Sequence, residues 1–188
     1  MARKILFDRQ SVCIQPLRAL IESQTHRTLV AWALDCAALY VDFFEARRPA
    51  DSRPRQALAR AGAWARGEIK MPEAKKAILA AHAAGAQAED PAAEAAARAV
   101  AQAASTVHVE THALGLAFYG LTALVLEAGP QAAQTAVEME LDRLYGRLLY
   151  WRDNIDADPR PWAAFLLRDA PNKERLLHEK QRAGTTRP

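Results

Sequence analysis

The chain has 188 residues, 51% of them hydrophobic and 25% charged, with a formal net charge of +3. These fractions are those of one folded domain of ordinary size, and they exclude a disordered, collagenous or low-complexity chain. The two cysteines, Cys13 and Cys36, are too few for a thiolate zinc site or a disulfide framework, so a reducing, cytoplasmic setting is expected.

Along the chain, residues Met1 to Asp8 are basic but lack the apolar run of a signal peptide. From Leu29 to Glu45, Trp32, Cys36, Leu39, Tyr40, Phe43 and Phe44 recur every three or four residues, which predicts one central helix. Pro54 sits in the first turn of a second helix that ends near Gly67, with Leu58 and Trp64 on its inner side. Pro72 opens a third helix through Ala88, and Asp90-Pro91 is an N-cap and first-turn pair for a fourth. Both are dominated by Ala, the best helix former, which lets backbones approach closely.

The fourth helix should break or bend near Ser105 and Thr106, and a fifth should run from Val107 to Glu127 with Phe118, Leu121 and Val125 in the core. Gly115 and Gly120 each cost that helix roughly 1 kcal/mol relative to Ala, so each predicts a neighbour packed close to the backbone. The uncharged run from Ala113 to Leu126 is shorter than the ~18 to 20 residues that span a bilayer and reads as a buried core helix. Gly129-Pro130 separates it from a further helix with a stripe of Val137, Leu141, Leu144, Leu148 and Trp151. Short helices after Pro159 and Pro171 complete the chain, and residues 183–188 should form a flexible tail. No segment alternates with period two. The expected fold is all-α: a single-domain antiparallel helical bundle of about six to eight helices with Ala-rich packing. It should occupy residues 1–182, with a core at 29–127 and a C-terminal extension at 130–182.

Charge is unevenly spread. Residues 47–76 hold nine Lys and Arg against Asp51, Glu68 and Glu73. Between 77 and 142, Arg98 stands alone against Glu89, Asp90, Glu94, Glu110, Glu127, Glu138, Glu140 and Asp142. The basic stretch carries no nucleic-acid reading motif, so neither nucleic acid nor membrane is expected as a partner.

Several polar residues stand out. Ala-Asp-x-Arg-Pro occurs at Ala50–Pro54 and again at Ala157–Pro161, each time before a helical pattern. Its Asp suits an N-cap, and the alternative is an Arg53 or Arg160 displayed to a partner. Asp35 interrupts the most apolar helix and needs a partner, which Arg53, Arg66 or a histidine could supply. His108 and His112, four apart, would share a helix face, and His82 could join them. Asp35, Arg53, His82, His108 and His112 thus form a candidate polar cluster, either an internal network or a site. The histidine trio is an alternative metal site, but HExxH spacing and carboxylate or thiolate co-ligands are missing, so no metal or cofactor is expected. Cys36, mid-helix among apolar neighbours, reads as packing, and no catalytic residue is assigned.

Five pieces in order carry a family resemblance: Trp32-Ala33-Leu34-Asp35-Cys36-Ala37; Asp51-x-Arg53-Pro54 with Ala57; Ala63 to Ile69; Ala80-Ala81-His82-Ala83-Ala84; and His108-x-x-x-His112-Ala113 with Tyr119. From Trp32 to about Leu124 the chain resembles the Imm-5-like immunity proteins of bacterial polymorphic toxin systems. The resemblance implies a small cytoplasmic protein that neutralises a cognate protein toxin by binding it. An enzyme or metalloprotein using His82, His108 and His112 is the competing class, a helical scaffold is a third, and homo-oligomerisation stays open. If the toxin is basic, Glu89, Asp90, Glu94 and Glu110 should face it.

Overall fold

The computed structural model describes residues 5–168 and 170–185. A short 3-10 turn, Val12–Ile14, leads into α1 (Gln15–Glu22), followed by α2 (His26–Cys36), α3 (Ala38–Arg47), α4 (Arg53–Ala65), α5 (Met71–Ala86) and α6 (Pro91–Ser105). A second 3-10 turn, Glu110–His112, precedes the long α7 (Ala113–Asn154), and α8 (Lys173–Thr185) closes the chain. The described residues contain no strand, so the all-α expectation holds.

Punctuation explains most boundaries. Pro stands in the first turn of α1, α4, α5 and α6, where its missing N–H has no intrahelical partner to lose. Asp90 accepts the Ala92 amide at 3.0 Å at the head of α6. Gly67, at φ 77°, takes the left-handed turn that follows α4. Gly129, at φ 70°, bends α7 at its Gly-Pro step, so two helical limbs meet there.

α6 is the central element. Ala92, Ala93, Ala95, Ala96, Ala97, Ala99, Val100, Ala101, Ala103 and Ala104 are all buried, leaving little of the helix in solvent. One cluster of large side chains lies on one side of it, with Trp32, Tyr40 and Phe44 from α2 and α3 against Leu114, Leu121, Leu144 and Leu148 of α7. A second lies on the other side, with Trp64 of α4, Ile78 of α5, Val107 and Leu166. Methyl-sized side chains let the helices on both sides come close, and the bulk of the core comes from those neighbours.

Four local expectations change. The helix expected over 29–45 is divided, because Ala37 closes a tighter turn in which the Tyr40 amide bonds to the Ala37 carbonyl. The helix expected from Val107 begins at Ala113, since Val109 is extended at φ −156° and ψ 139°. Pro159 is followed by a turn at 164–166 and not by a helix. The expected tail at 183–188 is helical through Thr185, and 186–188 lie outside the described residues. The expected buried run, Ala113–Leu126, does pack inward over Ala113 to Ala123. By length and composition alone, the helical stretch 110–157 could cross a membrane, but half of its most apolar window is buried inside the fold.

The N-terminal segment and α8 fasten to each other. Glu174, fully buried, accepts Arg9 Nε at 2.7 Å and lies 3.9 Å from Arg18 Nε. The Asn172 amide donates to the carbonyls of Ile21 and Gln24, both at 2.9 Å, and its oxygen caps α8 at the Glu174 amide.

Candidate ligand cleft

α5 is built so that Met71, Lys75, Ile78, Leu79 and His82 fall on one face at helical spacing. Opposite them, the end of α4 supplies Trp64, the end of α6 supplies Ser105, and the turn after α6 supplies His108 and His112. Together these residues line a cleft of about 230 Å³. Trp64 and Ile78 form its apolar floor, while Met71 and Leu79, 40% and 57% exposed, stand at its rim.

The histidines are held in different ways. His108 is exposed and stacks on Trp64, with ring centroids 6.2 Å apart and planes 24° from parallel. His112 donates from Nδ1 to Gln102 Oε1 at 2.8 Å, which leaves Nε2 as its basic nitrogen. Burial lowers the pKa of His112, and its neighbours His108, His82 and Arg9 lower it further. Burial, then Arg98, does the same for His82. Both shifts favour the neutral imidazole. Gln102 reaches His112 by lying against Gly115, where a Cβ would stand 2.5 Å from its Oε1.

The predicted polar cluster divides. His82, His108 and His112 do share the cleft, but His108 and His112 flank a turn and a 3-10 helix instead of sharing an α-helical face. Among the described residues, no three His, Cys, Asp or Glu side chains form a group that could hold a metal ion. Asp35 is elsewhere: it is half-buried and pairs with Arg147 of α7, and its Oδ2 also accepts the Trp151 indole N–H at 2.8 Å. Arg53 turns back onto Asp51, donating from Nε at 2.8 Å and from its backbone amide at 3.2 Å. That bond holds the Asp51 carboxyl below its ordinary pKa. Arg160 and Asp158 repeat the arrangement, so Ala-Asp-x-Arg-Pro encodes a local Asp–Arg clasp; Ser52, and not Asp51, occupies the N-cap position of α4. Burial pushes the Cys36 thiol up to about 12, so it stays protonated at neutral pH.

The acidic set is also split. Glu89 is exposed, Asp90 pairs with Arg47 at 3.1 Å, and Glu94 pairs with Arg98 of its own helix at 2.8 Å. Glu110, expected on a partner-facing surface, is instead 2% exposed and points toward His26 and Lys173. The turn that carries it is drawn inward by the hydrogen bond between His26 Nε2 and the Thr106 carbonyl. Lys75, Gln102 and the site role of Trp64 were not singled out from sequence. The available signals were the seven-residue spacing of Lys75 and His82 on one helix and the lone amide Gln102 within an Ala run.

A second groove, of about 480 Å³, lies between α1 and the second limb of α7 and is lined by Cys13, Pro16, Leu17, Glu138, Leu141, Asp142 and Tyr145. Val12 and Met139, 86% and 68% exposed, belong to the same two segments.

Comparison with curated proteins and with solved structures returns no match. A family described as Imm-5 like putative immunity protein matches residues 19–147. The match reaches beyond Trp32–Leu124 in both directions, taking in the end of α1 and most of the second limb of α7. The chain belongs to the Imm-5 like immunity protein family.

Proposed function

We propose that this chain is a cytoplasmic immunity protein that binds a cognate protein toxin and silences it by occupying its surface, with no catalysis of its own. The observation that carries this reading is the family match, which spans most of the helical core. A polymorphic toxin setting is part of the same proposal, and the family match supports it.

The face that suits such a partner is the groove between α1 and α7. It combines the apolar groups Leu17, Leu141 and Tyr145 with the carboxylates Glu138 and Asp142, and Met139 stands beside it in solvent. Apolar anchors rimmed by charge are the usual make-up of a protein-binding surface. A toxin with a basic, apolar-tipped segment would complement it. This choice replaces the face containing Glu110, which is buried.

The test is binding of the full chain to the toxin encoded beside it, by calorimetry and by rescue of growth on co-expression. We expect a stable complex that a Met139→Asp/Tyr145→Asp variant weakens by at least about tenfold, the scale of losing one interface anchor. Glu138→Lys/Asp142→Lys should slow association and reduce its salt dependence, because exposed charges act mainly by steering encounter. Undetectable binding at micromolar concentration overturns the immunity reading. Tight binding indifferent to all four substitutions overturns only the choice of groove.

A further inference from the structure

We propose that the cleft between α4, α5 and the turn after α6 binds an amphipathic anion: a carboxylate carried on an aromatic or aliphatic group, free or as the end of a peptide. The inference is independent of the immunity reading and rests on what lines the cleft.

Its polar lining is basic or neutral. Lys75 and His82 come from α5, Ser105 from α6, and His108 and His112 from the following turn, with no carboxylate among the lining residues. Behind them stand two arginines. Arg98 acts on His82, and Arg9 acts on His112. Glu94 is bonded to Arg98 and Glu174 to Arg9, while the buried Glu110 lies outside the lining and points toward His26 and Lys173, 3.8 and 3.9 Å away. An anion entering the cleft would meet the Lys75 ammonium and no lining carboxylate, and His112 Nε2, a lone pair in the neutral ring, becomes a donor on taking up a proton.

The apolar half of the ligand is specified as well. Met71 and Leu79 leave large apolar groups in solvent at the rim, and Trp64, 8% exposed between His108 and Phe165, forms the apolar lining below them. A ring or short chain covering these groups gains from their burial, and its carboxylate then lies among the imidazoles. A cleft of about 230 Å³ has room for one ring with its acid group. It is smaller than the roughly 300 to 1,000 Å³ pockets of drug-sized ligands.

Binding should draw protons in. Burial and a nearby arginine lower the pKa of His82 and of His112, and an anion offsets both effects, so the complex favours the imidazolium forms. Affinity therefore falls as pH rises, by about tenfold per pH unit for each proton taken up.

The experiment is an NMR titration of the full chain with phenylacetate, following the histidine ring and tryptophan indole signals at pH values on either side of the imidazole range. Phenylacetamide and inorganic phosphate serve as the uncharged and the non-apolar controls. We expect saturable shifts at His82, His108, His112 and Trp64, at least tenfold weaker binding of both controls, and weaker phenylacetate binding at the higher pH. Lys75→Gln, at an exposed position, should weaken binding several-fold without unfolding the chain, so the result stays decidable even if a His82→Gln variant fails to fold. A peptide ending in Phe, compared with its C-terminal amide, distinguishes a protein source of the anion from a small molecule; carboxylate-dependent binding of either supports the site. Equal binding of phenylacetate and phenylacetamide, or no saturable shift of these signals by phenylacetate or the peptide at millimolar concentration, overturns it.

Discussion

Gln102 can touch His112 because residue 115 has no side chain, and that dependence separates two kinds of glycine in α7. At Gly115 an added methyl group would stand 2.5 to 2.8 Å from Oε1, Cδ and Cγ of Gln102, so that flexible side chain must swing away, and the gain in helix propensity of roughly 1 kcal/mol works the other way. Gly115→Ala should therefore leave the unfolding midpoint nearly unchanged while the His112 ring loses its single-tautomer NMR signature. At Gly120 the obstacle is the ring of Tyr40, which is fully buried and hydrogen-bonded through its hydroxyl to Glu140. That ring has nowhere to move. Gly120→Ala should lower stability by about 1 to 3 kcal/mol, the usual cost of overpacking a tight core, as read by chemical denaturation. Asp35→Ala should cost about 1 to 2 kcal/mol in the same assay, because the carboxylate has two charge-assisted partners but is only half-buried. Both glycines were legible in the sequence as sites of close approach, since an unexplained helix-interior Gly is costly. The partner of Asp35 was not legible: Arg147 is 112 positions away, and spacing cannot choose between it and nearer arginines.

At the scale of elements, chemical punctuation was readable and continuous geometry was not. Pro54, Pro72, Pro91, Gly67 and Gly129 all mark ends or bends where Pro lacks a donor or Gly accepts positive φ. Ala37 was missed because it keeps helical angles, φ −69° and ψ −19°, while the apolar period runs on through it. The late start of α7 was missed because its apolar pattern extends back over an extended Val109. The cleft was half readable: its histidines were visible as residues, but their convergence with Trp64 depends on how α4 and α5 pack. The pairing of the N-terminal segment with α8 had no sequence signal. Its energetic weight sits in Glu174, fully buried between Arg9 and Arg18. Glu174→Ala should cost about 1 to 3 kcal/mol, because Arg9 loses its carboxylate while the buried Arg18 keeps Glu22 at 2.8 Å, and the loss should appear first as faster amide exchange in α8.

The whole molecule carries a pH dependence that follows from its histidines. Burial is the main cause lowering the pKa of His26, His82 and His112 from the ordinary 6.5. The unfolded chain then binds more protons than the folded one in the window between the folded values and 6.5. Stability from these groups is fully present above 6.5, declines as the pH falls through that window, and levels off below it. Urea midpoints measured across the window should drop on acidification, and a His26→Gln/His82→Gln/His112→Gln variant should flatten the profile. The meeting of Arg9 with Glu174, 165 positions apart, has a consequence of another kind, in time. At roughly 5 to 20 residues per second, a ribosome needs on the order of 10 to 30 s to pass from one partner to the other. Throughout that interval the nascent N-terminal segment lacks the carboxylate that holds it. Its final docking is therefore a late event of synthesis, and until then the surface that α1 offers to α8 is open to chaperones.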